Sequence, residues 1–319
     1  MADITYQPKV YRDKGGNRLV IAAGGELISE PGALLQTGNP TGAADYFVDL
    51  NVSATGDGSL STPFSTIAEA IAASNTSIGL SANRWWARRN RIFVMGDGIT
   101  ESLTVLPEKC DIIGMGSDLY PFPRVIGVQF IAAAKVACRF INMGFQATGT
   151  DDLFRAPAGC HGLSFLNCVF TPATAGNTKA LELTDCAHVN IDGCRILSSS
   201  GALTTSLFGL GIGIEGTASI HDLMINKNKI FSTAGLAIAA GTLHGSFVSD
   251  NYIRSLGAGK ACVDSSNDVA FVNNRIITAI ADLVVANSCT WNEALAVGNF
   301  ITTATARNGE IPIKVVMTT

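Results

Sequence analysis

The sequence predicts an all-β chain: a single-stranded right-handed parallel β-helix with a short N-terminal capping helix and an N-terminal arm. Three observations carry that expectation. A short phrase recurs at an interval suited to one coil, apolar residues alternate within the phrase, and the composition combines abundant glycine with little charge.

The phrase runs apolar, any, apolar, two variable residues, then Asn, Cys or another small or apolar residue, any, apolar. Its copies end "CRFINMGF" at Phe145, "LSFLNCVF" at Phe170, "VNIDGCRI" at Ile196, "LMINKNKI" at Ile230, "FVSDNYI" at Ile253, "AFVNNRI" at Ile276 and "ALAVGNF" at Phe300. The intervals are 25, 26, 34, 23, 23 and 24 residues. Such a period marks a repeat architecture, in which each unit buries its apolar face against the next. Alternation places Phe165 and Phe170 inside, with Ile191 and Ile196 one coil further on, as a side-chain period of two requires. Cys168, Cys194, Asn228, Asn251 and Asn274 then follow one another at the turn. Asparagine tolerates a left-handed backbone there, and stacked copies can form a side-chain ladder along the axis. The 34-residue interval holds "SSSGALTTSLFGLGIGIEG", expected as a longer coil or a protruding loop. A leucine-rich repeat has a similar period, but its leucine consensus and inter-phrase helix signal are missing.

Ahead of the repeats, Tyr46-Phe47-Val48 reads as a strand and Gly56-Asp57-Gly58 as a turn. Thr66 and Glu69 have capping-box spacing, and Ile67, Ala70 and Ile71 share one helical face, so a short helix near residues 65–74 is expected to cap the open end of the coil stack. "RIFVMGDGITESLTVLPEKCDIIGMG" reads as strand, glycine turn, strand, turn, strand. The organisation expected is an arm over 1–44, a β-helix over 45–300 and a last strand or tail over 301–319.

In 319 residues, 47% are hydrophobic and only 15% charged, against roughly 25% charged in an average chain. That points to a large core or to surface hidden against partners. The net charge of −4 is opposite to a nucleic-acid footprint. The one basic cluster, Arg84, Arg88, Arg89 and Arg91 around Trp85 and Trp86, reads as a solvated or inter-subunit face; Arg84, Trp85, Trp86, Arg88 and Arg89 are the candidate partner patch. No apolar run reaches the roughly 18 residues of a membrane span, and the start has no secretory leader pattern. No membrane or nucleic-acid partner is therefore expected. The eight cysteines form no CxxC pair; Cys160 to Cys186 and Cys168 to Cys194 both span 26 residues, a register mark of reduced, stacked, buried thiols.

From Asp45 to about Gly116, "DGSLSTPFSTIAEAI", the following apolar strand, Gly96-Asp97-Gly98, Glu101 and "IIGMG" resemble the leading segment of the pectin-lyase-like parallel β-helix superfamily. With the coils behind it, the resemblance covers roughly 45–300. It implies the fold and leaves activity open, because the superfamily hosts lyases, hydrolases, tailspikes, adhesins and inert virion parts. The segment "YRDKGGNRLVIAAGGELISEPGALL", with Gly-Gly turns between the short strands Leu19–Ile21 and Leu27–Ile28, is similar to N-terminal segments of phage virion structural and head-decoration proteins. This implies docking to a particle through Gly15, Gly16, Leu19, Val20, Gly24, Gly25 and Leu27, with Gln36 to Ala44 as a hinge. The resemblance also implies a homotrimer, with a major capsid protein or other virion protein as partner, a host surface glycan as a further one, and the virion as location.

No catalytic residue, metal ligand or cofactor site is expected. The carboxylates Asp151, Asp152, Asp185, Asp192, Glu215, Asp222, Asp250, Asp264, Asp268 and Asp282 do not fall into one column of the coil register and read as turn caps and solvated groups. His161 and His188 read as neutral residues near the wall. The runner-up to a structural role is a tailspike-type polysaccharide depolymerase or a non-cleaving glycan receptor.

Overall fold

The computed structural model describes residues 10–12, 19–21, 43–79, 88–116, 123–133, 135–172, 179–197, 207–255, 262–264, 269–278, 284–286, 296–297 and 300–303. The chain divides into two units, Met1–Gly42 and Ala43–Thr319. In the first, Val10–Arg12 pairs antiparallel with Leu19–Ile21, the Gly15-Gly16 step lying between them. Gly15, Gly16, Gly24, Gly25 and Leu27 lie outside the described residues, as do Leu27–Ile28, while Leu19 and Val20 are in the second strand of this pair.

The second unit is an all-β stack of parallel strands, as expected of a parallel β-helix. One ten-stranded parallel sheet runs from Asp45–Asp49 to Ala296–Val297, taking one strand from each coil. The remaining strands form a second parallel sheet of two legs, which Lys229–His244 joins by passing through both. A complete coil therefore has three legs. A copy of the phrase is the first leg, a tight corner and the second leg: "CRFINMGF", for instance, is Cys138–Ile141 followed by Gly144–Gln146.

The registers show why alternation was a sound guide. Ile92, Ile112, Phe140, Phe165, Ile191, Ile225 and Val248 pair in sequence along the first leg, and all are buried. Val125, Phe145, Phe170, Ile196, Ile230, Ile253 and Ile276 do so along the second. Between them Phe140 stacks on Phe165 at 5.4 Å and Phe145 on Phe170 at 5.2 Å, with Phe154 of the third leg meeting Phe165 edge-on at 5.0 Å. Stacked rings along the axis and edge-to-face contacts across it are both favoured aromatic geometries. The last copy is displaced by one residue from the sequence expectation: Ile301, not Phe300, pairs with Ile276. Two apolar residues stand side by side there, so alternation alone does not choose between them.

The left-handed residue at the corner between the first and second legs is the one before the expected turn position. Asn142, Asn167, Lys227, Asp250 and Asn273 have φ of 53–55°, with Gly193 at 66° in the same column. The residues after them, Met143, Cys168, Cys194, Asn228, Asn251 and Asn274, turn inward and are buried. The three asparagines form the expected ladder: Asn251 Oδ1 accepts from the backbone N–H of Asn228 at 2.9 Å and from its Nδ2 at 3.0 Å, and Asn274 Oδ1 does the same for Asn251 at 3.1 and 2.9 Å. A second left-handed column, Lys109, Ala137, Gly162, His188, Asp222 and Gly245, precedes the first leg. The insertion in the 34-residue coil supplies Phe208–His221, a long third-leg strand parallel to Lys229–His244.

The helix Ile67–Gly79 begins where the capping box places it. Thr66 N–H donates to Glu69 Oε2 at 3.1 Å and Glu69 N–H to Thr66 Oγ1 at 3.3 Å. Ile67, Ala70 and Ile71 are buried in the same core as Val48, Ile92 and Leu103. Glu101 reaches across to accept from the N–H groups of Ile67 at 3.1 Å and Ala68 at 2.8 Å. Burial pushes the Glu101 carboxyl above its ordinary range. All six described cysteines, Cys110, Cys138, Cys160, Cys168, Cys186 and Cys194, are free and buried, and burial drives the Cys110 thiol up to about 12. None of the described helices is long and apolar enough to cross a membrane.

Candidate functional site: the outer faces of the coil stack

With the interior filled by side chains, chemistry has to lie on the outward columns. Of the candidate partner patch, Arg84, Trp85 and Trp86 lie outside the described residues. Arg88 bonds Ser77 Oγ and lies 3.4 Å from Asn90 Oδ1, and Arg89 pairs with Asp111 at 2.6 Å. Asp111 also takes Arg139 at 2.6 Å, while Arg91 pairs with Asp45 at 2.6 Å. Because Asp45, Arg91, Asp111 and Arg139 are register neighbours, this outward column of the first sheet alternates in charge and satisfies itself. Burial works against the ionised form of Asp111, but the guanidiniums of Arg139 and Arg89 outweigh it and hold that carboxyl below its ordinary range. Further along the same column the chemistry changes to apolar: Met224 and Phe247 are register partners, 42% and 48% exposed.

The third leg carries the most concentrated carboxylate chemistry, around a residue that sequence reasoning missed. Glu182 points outward from Lys179–Thr184 yet is buried, beneath Arg155 at 3.1 Å and Lys179 at 2.9 Å. Lys179 also holds Glu215 at 2.5 Å. Burial, together with a hydrogen bond shared with Asp152, raises the Glu182 carboxyl above its ordinary range. Glu182 shares its strand with Lys179, but Arg155 and Glu215 come from the adjacent coils, so its sequence context does not show the cluster. A retaining glycosidase separates its pair by about 5 Å to flank a bond, and an inverting one by more. Here two cations also neutralise the cluster, so its geometry is that of a charge network tying coils together. Asp185, Asp222 and Asp250 sit at left-handed turn positions, in keeping with turn-capping roles, and Asp268 and Asp282 lie outside the described residues. Among the described residues no group of three His, Cys, Asp or Glu side chains could hold a metal ion. His161 accepts the Ala187 N–H at Nδ1, 3.1 Å away, and His188 bonds Asp222 at 2.9 Å, so the two histidines occupy different turn columns.

The second leg presents a different surface. Arg195, Lys229, Tyr252 and Arg275 are successive register partners, each immediately before an inward isoleucine and therefore outward. Arg254 lies beside them in the column of Phe231. Lys229 Nζ lies 5.4 Å from the centre of the Phe231 ring, the Arg275 guanidinium 5.6 Å from that of Tyr252, and the two rings meet edge-on at 5.7 Å. Four cations thus gather on one face of a chain whose net charge is −4. Successive cations are 21 to 34 residues apart in the sequence, so only the coil register brings them together. Comparison of the chain with protein-family models, with curated proteins and with solved structures found no match.

Proposed function

We propose that the protein is a structural component of a bacteriophage virion, a capsid decoration or head-fibre protein of the pectin-lyase-like kind, docked by its N-terminal unit. The observation that carries this reading is the division of the chain into a small unit with its own antiparallel strand pair and a long, continuously packed coil stack. In a stack of this sort each coil contacts only its neighbours. The leader's likeness to virion structural segments supplies the partner, a major capsid protein or another virion protein. Docking is assigned to the Gly-Gly-flanked segment containing Leu19 and Val20. Self-association, with a trimer as the expected state, is supported by the exposed Met224–Phe247 pair on an otherwise polar half of its face.

Co-sedimentation with purified capsids of the phage that encodes the chain tests this. The full chain should pellet with capsids, and a form lacking residues 1–42 should stay in the supernatant while keeping its β-rich circular dichroism. Light scattering on the same samples reads the subunit number. A folded full chain that stays in the supernatant sinks the proposal.

A second reading is favoured by the cationic face of the second leg. The exposed protein would contact a host surface glycan without cleaving it, and Arg195, Lys229, Tyr252 and Arg275 would make the contact.

A further inference from the structure

We propose that the second-leg face binds a linear polyanionic polysaccharide, one carrying carboxylate or sulfate groups, laid along the coil axis. The proposal rests on the glycan-contact reading and names its ligand class.

The argument starts from spacing. In-register parallel strands are about 4.8 Å apart, so Arg195, Lys229, Tyr252 and Arg275 mark a straight line about 14 Å long. Arg195, Lys229 and Arg275 are exposed along it, and Arg254 flanks it. A line of cations parallel to a rigid axis matches a polymer with regularly repeated anions better than it matches a single small anion. Carboxylate and sulfate oxygens suit these donors, since an arginine fork can take two oxygens at once and a lysine acts as a point charge.

Two further features concern Arg195, Lys229 and Arg254, which make no ion pair among the described residues. This contrasts with the first leg, where Arg89, Arg91 and Arg139 are all matched to aspartates. The Arg254 Nε is also buried without a hydrogen-bond partner among the described residues. A buried donor left without a partner is destabilising.

The aromatic residues decide between classes of polyanion. Single-stranded nucleic acid needs open ring faces on which bases stack. Phe231 is only 8% exposed, Lys229 lies over it, and Tyr252 is turned edge-on to it beneath Arg275. The rings brace the cations and offer no platform for bases.

The test is a titration of the full chain with four probes: heparin as sulfated polysaccharide, polygalacturonate as carboxylated polysaccharide, neutral dextran, and a thymidine oligonucleotide. Heparin or polygalacturonate should bind with an affinity that falls steeply with salt, and dextran should not bind. The triple variant Arg195→Ala/Lys229→Ala/Arg275→Ala should weaken binding by about tenfold to a hundredfold. Its salt slope should drop by about one per cation removed. Lys135→Ala, which removes a cation paired with Glu108 elsewhere on the surface, should leave binding unchanged. A thermal melt of each variant checks that the fold is intact. Wild-type affinity in the folded triple variant overturns the proposal, as does tighter binding of the oligonucleotide than of either polysaccharide. If dextran binds and the triple variant binds it equally, the polyanion stripe falls and the glycan contact is made by other residues than Arg195, Lys229 and Arg275. If no glycan binds at all, both fall.

Discussion

Asn251 is the middle rung of the asparagine ladder. Its side chain accepts from Asn228 and donates to the Ile225 carbonyl at 2.7 Å, and it is 1% exposed. Asn251→Ala strips partners from the Asn228 N–H and the Ile225 C=O together, and neither can reach water. The expected loss is about 3 kcal/mol, read as a lowered urea midpoint. Asp57 makes the opposite kind of contribution, exposed and pH-dependent. Hydrogen bonds from Thr62 and Ser59 hold its carboxyl at about 2, below the usual 3.8. Folding therefore favours the ionised form. The stabilisation is complete above about pH 4 and is lost as pH falls through about 2. The stability difference between the protein and Asp57→Asn should accordingly shrink over that window, as followed by denaturation across pH.

Among the elements, the helix Ile67–Gly79 shows how far local signals reach. Thr66, Glu69 and the Ile67/Ala70/Ile71 face place it from sequence to within a residue at its start. Glu101, 34 positions from Ile67, completes the N-terminus by satisfying two N–H groups that the capping box leaves open. Glu101→Ala is expected to cost about 2 kcal/mol, with loss of amide exchange protection concentrated in the first turn of the helix. The first two legs were equally legible, because a fixed corner joins them and alternation continues across it. The third leg was not, because its distance from the second varies. It spans 9 residues from Phe145 to Phe154, 11 from Phe170 to Leu181, 16 from Ile196 to Ile212 and 6 from Ile230 to Leu236. Such spacing leaves no period for the eye. The functional faces were hidden for a related reason. Glu182 and the cations of the second leg acquire meaning only from neighbours one coil away. The position just before the last residue of four successive phrases holds Arg195, Lys229, Tyr252 and Arg275, and a column read at that offset would have shown the stripe.

For the whole molecule, the buried cysteines spread over successive coils make packing measurable without perturbing it. Cys110 and Cys138 are register partners, and Cys168 and Cys194 lie one coil apart just ahead of the Val169–Arg195 pair. All six described thiols should resist iodoacetamide in the native protein and react together once denaturant unfolds the stack, as peptide mass spectrometry would show. Labelling of Cys138 or Cys168 under native conditions would mean that coils open independently of one another. Cooperative reactivity is the expectation, since each coil's core is completed by the next.

The corner between the first and second legs has one further consequence. From Phe140 onward it keeps five residues between paired inward positions: Phe140 to Phe145, Phe165 to Phe170, Ile191 to Ile196, Ile225 to Ile230 and Val248 to Ile253. That corner works as the escapement of the stack, advancing each coil by the same step whatever length of chain passes through the opposite side. Foreign peptide spliced between Phe170 and Leu181, or between Ile196 and Ile212, should therefore leave the phase of the coils undisturbed, and those two stretches are the natural grafting points of the stack.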